Sequence, residues 1–108
     1  MTTPQPSRLE ALRSVAPKLV ELTDTVVFGD VWERPQLSKR DRSLVTISAL
    51  ISNGQVAQLT GHIPIGMNNG LTQPEIAEAI THLAFYVGWP NVFSAMPVAK
   101  EVFEKRAR

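Results

Sequence analysis

The sequence contains no cysteine, and this absence removes several kinds of chemistry at once. Disulfide bonds, thiolate metal sites and cysteine nucleophiles all require a thiol. Charge is also sparse, since only 19% of the 108 residues are charged and the formal net charge is +1. A balance so close to neutral favours neither nucleic acid nor an anionic membrane surface as a partner. We therefore expect no nucleic acid and no membrane among the partners.

Two stretches of the chain carry no charged residue at all, residues 43–74 and residues 79–99. A helix that faces water normally carries charges on its outer side. We therefore expect both faces of these stretches to contact protein, and a domain this small has few layers of its own to cover them. This pattern predicts subunit contacts in a symmetric homo-oligomer. His82, Pro90 and Asn91 argue against a transmembrane helix in the second stretch.

Helix signals dominate the rest of the pattern. Thr72 and Glu75 have the spacing of a capping box, in which two residues satisfy each other's backbone N–H groups. The same spacing recurs at Ser7–Glu10 and at Ser38–Asp41. There is no alternation typical of strands, no internal repeat and no nucleotide-binding glycine loop. The sequence predicts an all-α single domain of about five to six helices.

The predicted domain comprises residues 7–108, preceded by a disordered N-terminus at residues 1–6. These first residues are polar and lack the apolar core of a secretory signal, so a cytoplasmic protein is expected. Pro17 is predicted to open a helix that ends near Gly29. Helical spacing predicts the following inward-facing residues in the first half of the chain: Leu9, Leu12, Leu19, Leu22, Val26, Val27, Leu44, Val45, Ile47, Leu50 and Ile51.

His62 is the one titratable group of the stretch 43–74 that ionises near neutral pH. It is either a buried histidine satisfied by a backbone carbonyl or a general acid or base. Gln55 and Gln58 precede it on the same predicted helical face, either as interface amides or as ligand contacts. Two histidines without cysteine do not predict a metal site.

Three arginines, Arg34, Arg40 and Arg42, stand just before the uncharged stretch. Such side chains are commonly solvated or paired with a nearby Asp or Glu. A ligand that bears a carboxylate would also use them, because a guanidinium binds a carboxylate through two hydrogen bonds. Both interpretations stay open at the level of sequence.

Several runs together resemble the carboxymuconolactone decarboxylase family over about residues 17–105. They are RSLVTISAL at residues 42–50, QLTGHIPIGMNNG at 58–70, LTQPEI at 71–76 and AFYVGWP at 84–90. The resemblance implies a helical subunit of the alkylhydroperoxidase D type. It also implies assembly into trimers or hexamers, with sites at the subunit contacts.

One branch of that family uses a glutamate, a Cys–x–x–Cys pair and a histidine. Counted back from His62, the cysteine positions fall on Gln55 and Gln58, and the glutamate position falls on Ser43. Peroxide and disulfide chemistry requires a thiolate. The peroxidase and disulfide reductase activities of this branch are therefore excluded.

The other branch resembles the decarboxylase proper, which removes carbon dioxide from a small carboxylated lactone in aromatic catabolism and needs no cofactor. For that reaction we expect His62 to donate the proton and Arg34, Arg40 or Arg42 to bind the substrate carboxylates. Gln55, Gln58 or Ser43 would then hydrogen-bond the lactone oxygen. Two alternatives stay open: isomerisation or hydrolysis of a related acid, and a non-catalytic binding or scaffold protein on the same fold.

Overall fold

The structure, a computed structural model, describes residues 6–107, with side chains from residue 9 onward. Its helices are α1 (Pro6–Leu12), α2 (Pro17–Leu22), α3 (Lys39–Ser52), α4 (Val56–Asn68), α5 (Gln73–Val87) and α6 (Trp89–Ala107). A π-helix, Thr23–Phe28, continues α2, and a 3-10 turn follows at Val31–Glu33. No strand occurs within residues 6–107. The all-α prediction and the number of helices are confirmed.

The disorder predicted for residues 1–6 concerns a segment that lies, except for Pro6, outside the described residues. Pro6 itself begins α1. The first helix therefore includes Ser7, so Ser7 is not its N-cap as the spacing with Glu10 predicted. Proline is well tolerated in a first helical turn, where its missing N–H would have no partner in any case.

The hydrophobic core lies among α3, α4, α5 and α6. The most extensive packing is between α3 and α4, and α6 packs against both α4 and α5. Side chains at helical spacing fill this core, and each buried Ile or Leu contributes about 1.5–3 kcal/mol relative to exposure. The core residues include Ile47, Ile51, Leu59, Ile63, Ile76, Ile80, Val92, Ala95, Ala99 and Val102.

The end signals of α3 and α5 fold as the sequence predicts. Thr72 Oγ1 accepts from the backbone N–H of Glu75 at 3.2 Å, and Glu75 Oε1 accepts from the backbone N–H of Thr72 at 2.9 Å. The bond from the Thr72 backbone is the main cause of a lowered pKa for Glu75. Ser38 Oγ accepts from the backbone N–H of Asp41 at 3.0 Å. These caps fix where the core helices begin.

The N-terminal segment differs from prediction in the face that it buries. Leu12, Leu19, Leu22, Val26 and Val27 are exposed, with Leu19 at 64%. Val45 on α3 is also exposed, at 62%. The segment packs on α3 chiefly through the 3-10 turn, so the described residues leave most of its apolar stripe uncovered. The residues buried instead are Val20, Phe28 and Trp32.

Gly29 ends the π-helix at a position where only glycine fits. A Cβ at Gly29 would lie 2.7 Å from the carbonyl oxygen of Asp24 and 2.8 Å from that of Thr25. The close approach of these carbonyls follows from the wide π turn, a geometry that is rare and often found near functional sites. The chain then reaches the 3-10 turn that carries Trp32 inward.

Candidate functional site

His62 and Trp32 form the centre of the candidate site. His62 lies on α4 and is half-buried, and Trp32 is 7% exposed in the 3-10 turn. Their rings stack with centroids 6.5 Å apart and planes inclined by 27°. Trp32 stacks in turn on Phe28 of the π-helix, with ring centroids 5.9 Å apart. The imidazole thus stands at one end of a row of aromatic rings.

The imidazole of His62 is short of hydrogen-bond partners. Nδ1 is buried and has no partner among the described residues. The predicted alternative, a histidine satisfied by a backbone carbonyl, therefore does not hold at this nitrogen. Burial lowers the pKa of His62 from its ordinary 6.5, because a charged imidazolium loses hydration there. The neutral ring is favoured, and the imidazolium, when it forms, is a stronger acid than usual.

A small cavity is lined in part by Trp32, and we call it the Trp32 cavity. Its volume is about 160 Å³, and it is lined by Val31, Trp32, Leu37, Arg42, Val45 and Thr46. Arg42 donates from Nη2 to the backbone carbonyl of Arg34 at 3.1 Å. Its Nε is buried without a partner among the described residues. Trp32 therefore stacks on the imidazole and also lines the cavity at which Arg42 lies.

The other two predicted arginines lie in different surroundings. Arg34 is exposed, and its contribution to the site is the backbone carbonyl that holds Arg42. Arg40 forms ion pairs with Asp41 and Glu75. It lines a separate cavity of about 410 Å³ with Glu75 and His82. The structure thus brings Arg42, but not Arg40, to Trp32.

The predicted hydrogen-bonding residues are also divided between core and surface. Ser43 is 1% exposed, and its Oγ accepts from Asn69 Nδ2 at 3.0 Å. That bond ties the start of α3 to the end of α4. Gln55 is exposed at the N-cap of α4, and Gln58 is exposed on α4 one turn before His62. Of these three, Gln58 has the position nearest along the helix to the imidazole.

Within the part of the chain that has described side chains, no three His, Asp or Glu residues come together as metal ligands. Among the same residues, no helix is both long and apolar enough to cross a membrane.

Two residues of the site were missed by the sequence reasoning. No role at the site was predicted for Trp32, since nothing local connects it with His62 thirty positions further on. Gly61, discussed below, was part of a motif without a role of its own. The π-helix leads into the 3-10 turn that carries Trp32, and no sequence signal predicted this π-helix.

The fold and the site define an all-α domain in which a half-buried histidine stacks on a tryptophan that lines a small cavity. Residues 17–101 match the model of the carboxymuconolactone decarboxylase family. The match spans most of the sequence and includes α2 to α5 and most of α6. The chain belongs to this family.

Curated relatives agree with that assignment. The chain is 43% identical over 77 residues to 4-carboxymuconolactone decarboxylase of Acinetobacter baylyi, covering 71% of this chain and 58% of the relative. It is 38% identical over 81 residues to nitrosuccinic acid decarboxylase of Metarhizium robertsii, covering 75% and 57% respectively. An uncharacterised 15.0 kDa protein of Paracoccus denitrificans is 28% identical over 97 residues, covering 88% and 72%. The chain thus spans less than three fifths of the length of the two decarboxylases.

Proposed function

We propose that this protein is a decarboxylase of a small carboxylated lactone of the 4-carboxymuconolactone type, working without a cofactor. The observation that carries the proposal is the half-buried imidazole of His62, unpaired at Nδ1 and stacked on Trp32. A group with such surroundings has its pKa set by the protein, as acid–base catalysts commonly do. Family membership and the names of the two decarboxylases support the same reaction class.

The reaction needs one proton for each molecule of carbon dioxide released. The bond from the ring carbon to the carboxylate breaks, and its electron pair moves through the conjugated double bond to the lactone carbonyl oxygen. The resulting dienolate then takes a proton on carbon. In our proposal the His62 imidazolium donates this proton, and the neutral ring regains one from water. Its lowered pKa makes the imidazolium a better donor at the cost of a smaller protonated fraction.

Arg42 and Gln58 are the supporting residues in this proposal. Arg42 is half-buried and lines the Trp32 cavity, and its guanidinium would offer a carboxylate both charge and hydrogen bonds. Gln58 lies one helical turn before His62 and is exposed, so its amide is available to a lactone oxygen. Arg40 forms ion pairs with two carboxylates, and the buried Ser43 accepts a hydrogen bond from Asn69, so we assign neither residue a role in substrate binding.

The proposal extends to assembly and to cellular role. A homo-oligomer, a trimer or a hexamer, would cover the apolar side chains that one chain leaves exposed. Phe85 is 73% exposed, Tyr86 is 70% and Phe93 is 56% exposed, all within the uncharged stretch 79–99. A role in aromatic catabolism and a cytoplasmic location belong to the same proposal and derive from the family resemblance.

Nitrosuccinic acid is a second candidate substrate, favoured by the similarity to the Metarhizium robertsii enzyme. Loss of its carboxylate next to the nitro group leaves an electron pair on the nitro oxygens instead of a lactone oxygen. The requirement for a proton donor and for a bound carboxylate is the same. The same side chains would therefore serve either acid.

Turnover of each acid by the purified protein, with His62→Ala beside it, tests the proposal. Loss of 4-carboxymuconolactone is followed by ultraviolet absorbance, and nitrosuccinate by carbon dioxide release. We expect His62→Ala to reduce turnover by about 10²-fold or more, within the range of general acid–base catalysis. His82→Gln, which changes the exposed histidine of α5, is the matched control and should keep wild-type activity. No turnover of either acid by well-folded wild type contradicts the proposal, and equal rates in wild type and His62→Ala contradict the role of His62.

A further inference from the structure

Gly61 occupies a buried position on α4 immediately before His62. A Cβ at this position would meet no heavy atom of the described residues within 4 Å, apart from its adjacent residues and its own helix backbone. A buried position normally has neighbours at that distance, since protein interiors are close-packed. Gly61 therefore borders a recess.

Gly66, on the same helix, is a buried glycine at which a Cβ would have close neighbours. A Cβ there would lie 3.0 Å from Ile47 Cδ1 and 3.0 Å from Leu71 Cδ1, so packing accounts for the absence of a side chain. At Gly61 neither packing nor backbone requires glycine, because the glycines with positive φ are Gly54, Gly70 and Gly88. Glycine is among the poorest helix formers. A helix that keeps Gly61 thus gives up stability without a packing reason.

The recess lies on the face of α4 that carries the candidate site. Gln58, Gly61, His62 and Ile65 together span one side of the helix, within which the adjacent positions Gly61 and His62 differ in direction by about 100°. His62 Nδ1, on the same face, is the buried nitrogen without a partner. Two independent observations, an unfilled side-chain position and an unpaired polar atom, coincide at adjacent residues.

We propose that Gly61 is a specificity-determining residue whose missing side chain leaves room for the substrate ring beside His62. This inference rests on the proposed function and deepens it, because it assigns the recess to the flat ring of a small lactone acid. A methyl group at residue 61 would occupy space that the ring needs while leaving the fold intact. The recess thus gives a small planar acid access to the imidazole and limits the size of the ligand that can bind beside it.

Gly61→Ala separates this role from a structural one. We expect a higher urea midpoint of unfolding, because alanine favours the helix and meets no neighbour. We also expect kcat/KM for the lactone acid to fall by about 10- to 200-fold, the usual effect of one methylene group in a tight site. Gly61→Ser is a second variant with a similar expected loss. Gly66→Ala is the matched control, and it should lower the urea midpoint through its clash with Ile47 and Leu71.

The kcat/KM and the oligomeric state of Gly61→Ala test whether the space at residue 61 serves the substrate. A Gly61→Ala protein with unchanged kcat/KM overturns the inference, and so does one that loses its oligomeric state, since the space would then belong to a subunit contact. If wild type turns over neither acid, the proposed function fails separately. Binding of a saturated γ-lactone with an acetic acid arm, followed by the imidazole NMR signals of His62, is then the test. Weaker binding to Gly61→Ala supports the inference, and equal binding or none to wild type overturns it.

Discussion

Trp32 lies nearly parallel to His62, with ring centroids 6.5 Å apart and planes inclined by 27°. The indole is itself buried and is backed by Phe28, so it excludes water from one side of the imidazole. Burial is the cause of the lowered pKa of His62. The contact joins a 3-10 turn in the first third of the chain to the middle of α4. Through this contact the N-terminal segment contributes to the lowered pKa of His62.

Removal of this indole should raise the pKa of His62. Trp32→Leu opens one side of the imidazole to water, which favours the charged ring and moves its pKa upward toward the ordinary 6.5. Trp32→Phe keeps an apolar ring in place and should move it less. The imidazole Cε1–H signal, followed by NMR across pH, measures the change. Trp89→Leu, at the 49% exposed tryptophan of α6, serves as control, and a Trp32→Leu titration identical to wild type would contradict the assigned cause.

The rate of decarboxylation should fall as pH rises through the pKa of His62. The proposed donor is the imidazolium, and its population decreases above a pKa that burial places below 6.5. The profile of kcat/KM reports the free enzyme and should turn down in that acidic range. The profile of kcat should turn down at higher pH, since a bound anionic substrate stabilises the imidazolium. A rate that instead rises through this range would mean that His62 acts as a base.

Arg42→Met should weaken substrate binding much more than Arg34→Met. Arg42 lines the Trp32 cavity, whereas Arg34 supplies a backbone carbonyl that its substitution leaves in place. A hydrogen bond to a charged group contributes about 1.5–3 kcal/mol, so KM should rise about tenfold or more in Arg42→Met. Steady-state kinetics on both variants, with circular dichroism to establish folding, makes the comparison. Equal effects of the two substitutions would remove Arg42 from the carboxylate site.

Ser43→Ala should lower stability while leaving catalysis almost unchanged. Ser43 Oγ accepts the Asn69 side chain at 3.0 Å within the core, and loss of such a bond costs about 1 kcal/mol. Urea unfolding of Ser43→Ala, Asn69→Ala and the double variant gives the coupling between the two residues. A large loss of kcat with unchanged stability would instead support a hydrogen bond from Ser43 to the lactone oxygen, the role that we expected from the sequence.

The helical core was predictable because its signals are local. Capping of α5 depends on residues three positions apart, and the stripe from Ile47 to Ile51 depends on one helical turn. The apolar stripe of the N-terminal segment was equally regular, yet Leu19 and Val26 are exposed. Periodicity identifies an apolar face of a helix but does not identify what covers it.

The sequence by itself determined the helical class, the caps of α3 and α5, the absence of thiol chemistry and the choice of His62 as a candidate site residue. Each of these follows from residue type or from spacing within a few turns. The tertiary structure alone decided that Trp32 stacks on His62, that Arg42 lines the cavity beside Trp32 and that Arg40 does not. It also decided that the space at Gly61 borders the same face. These relationships depend on a π-helix and on packing between segments that are distant in the sequence. Local spacing of residue types does not predict such packing.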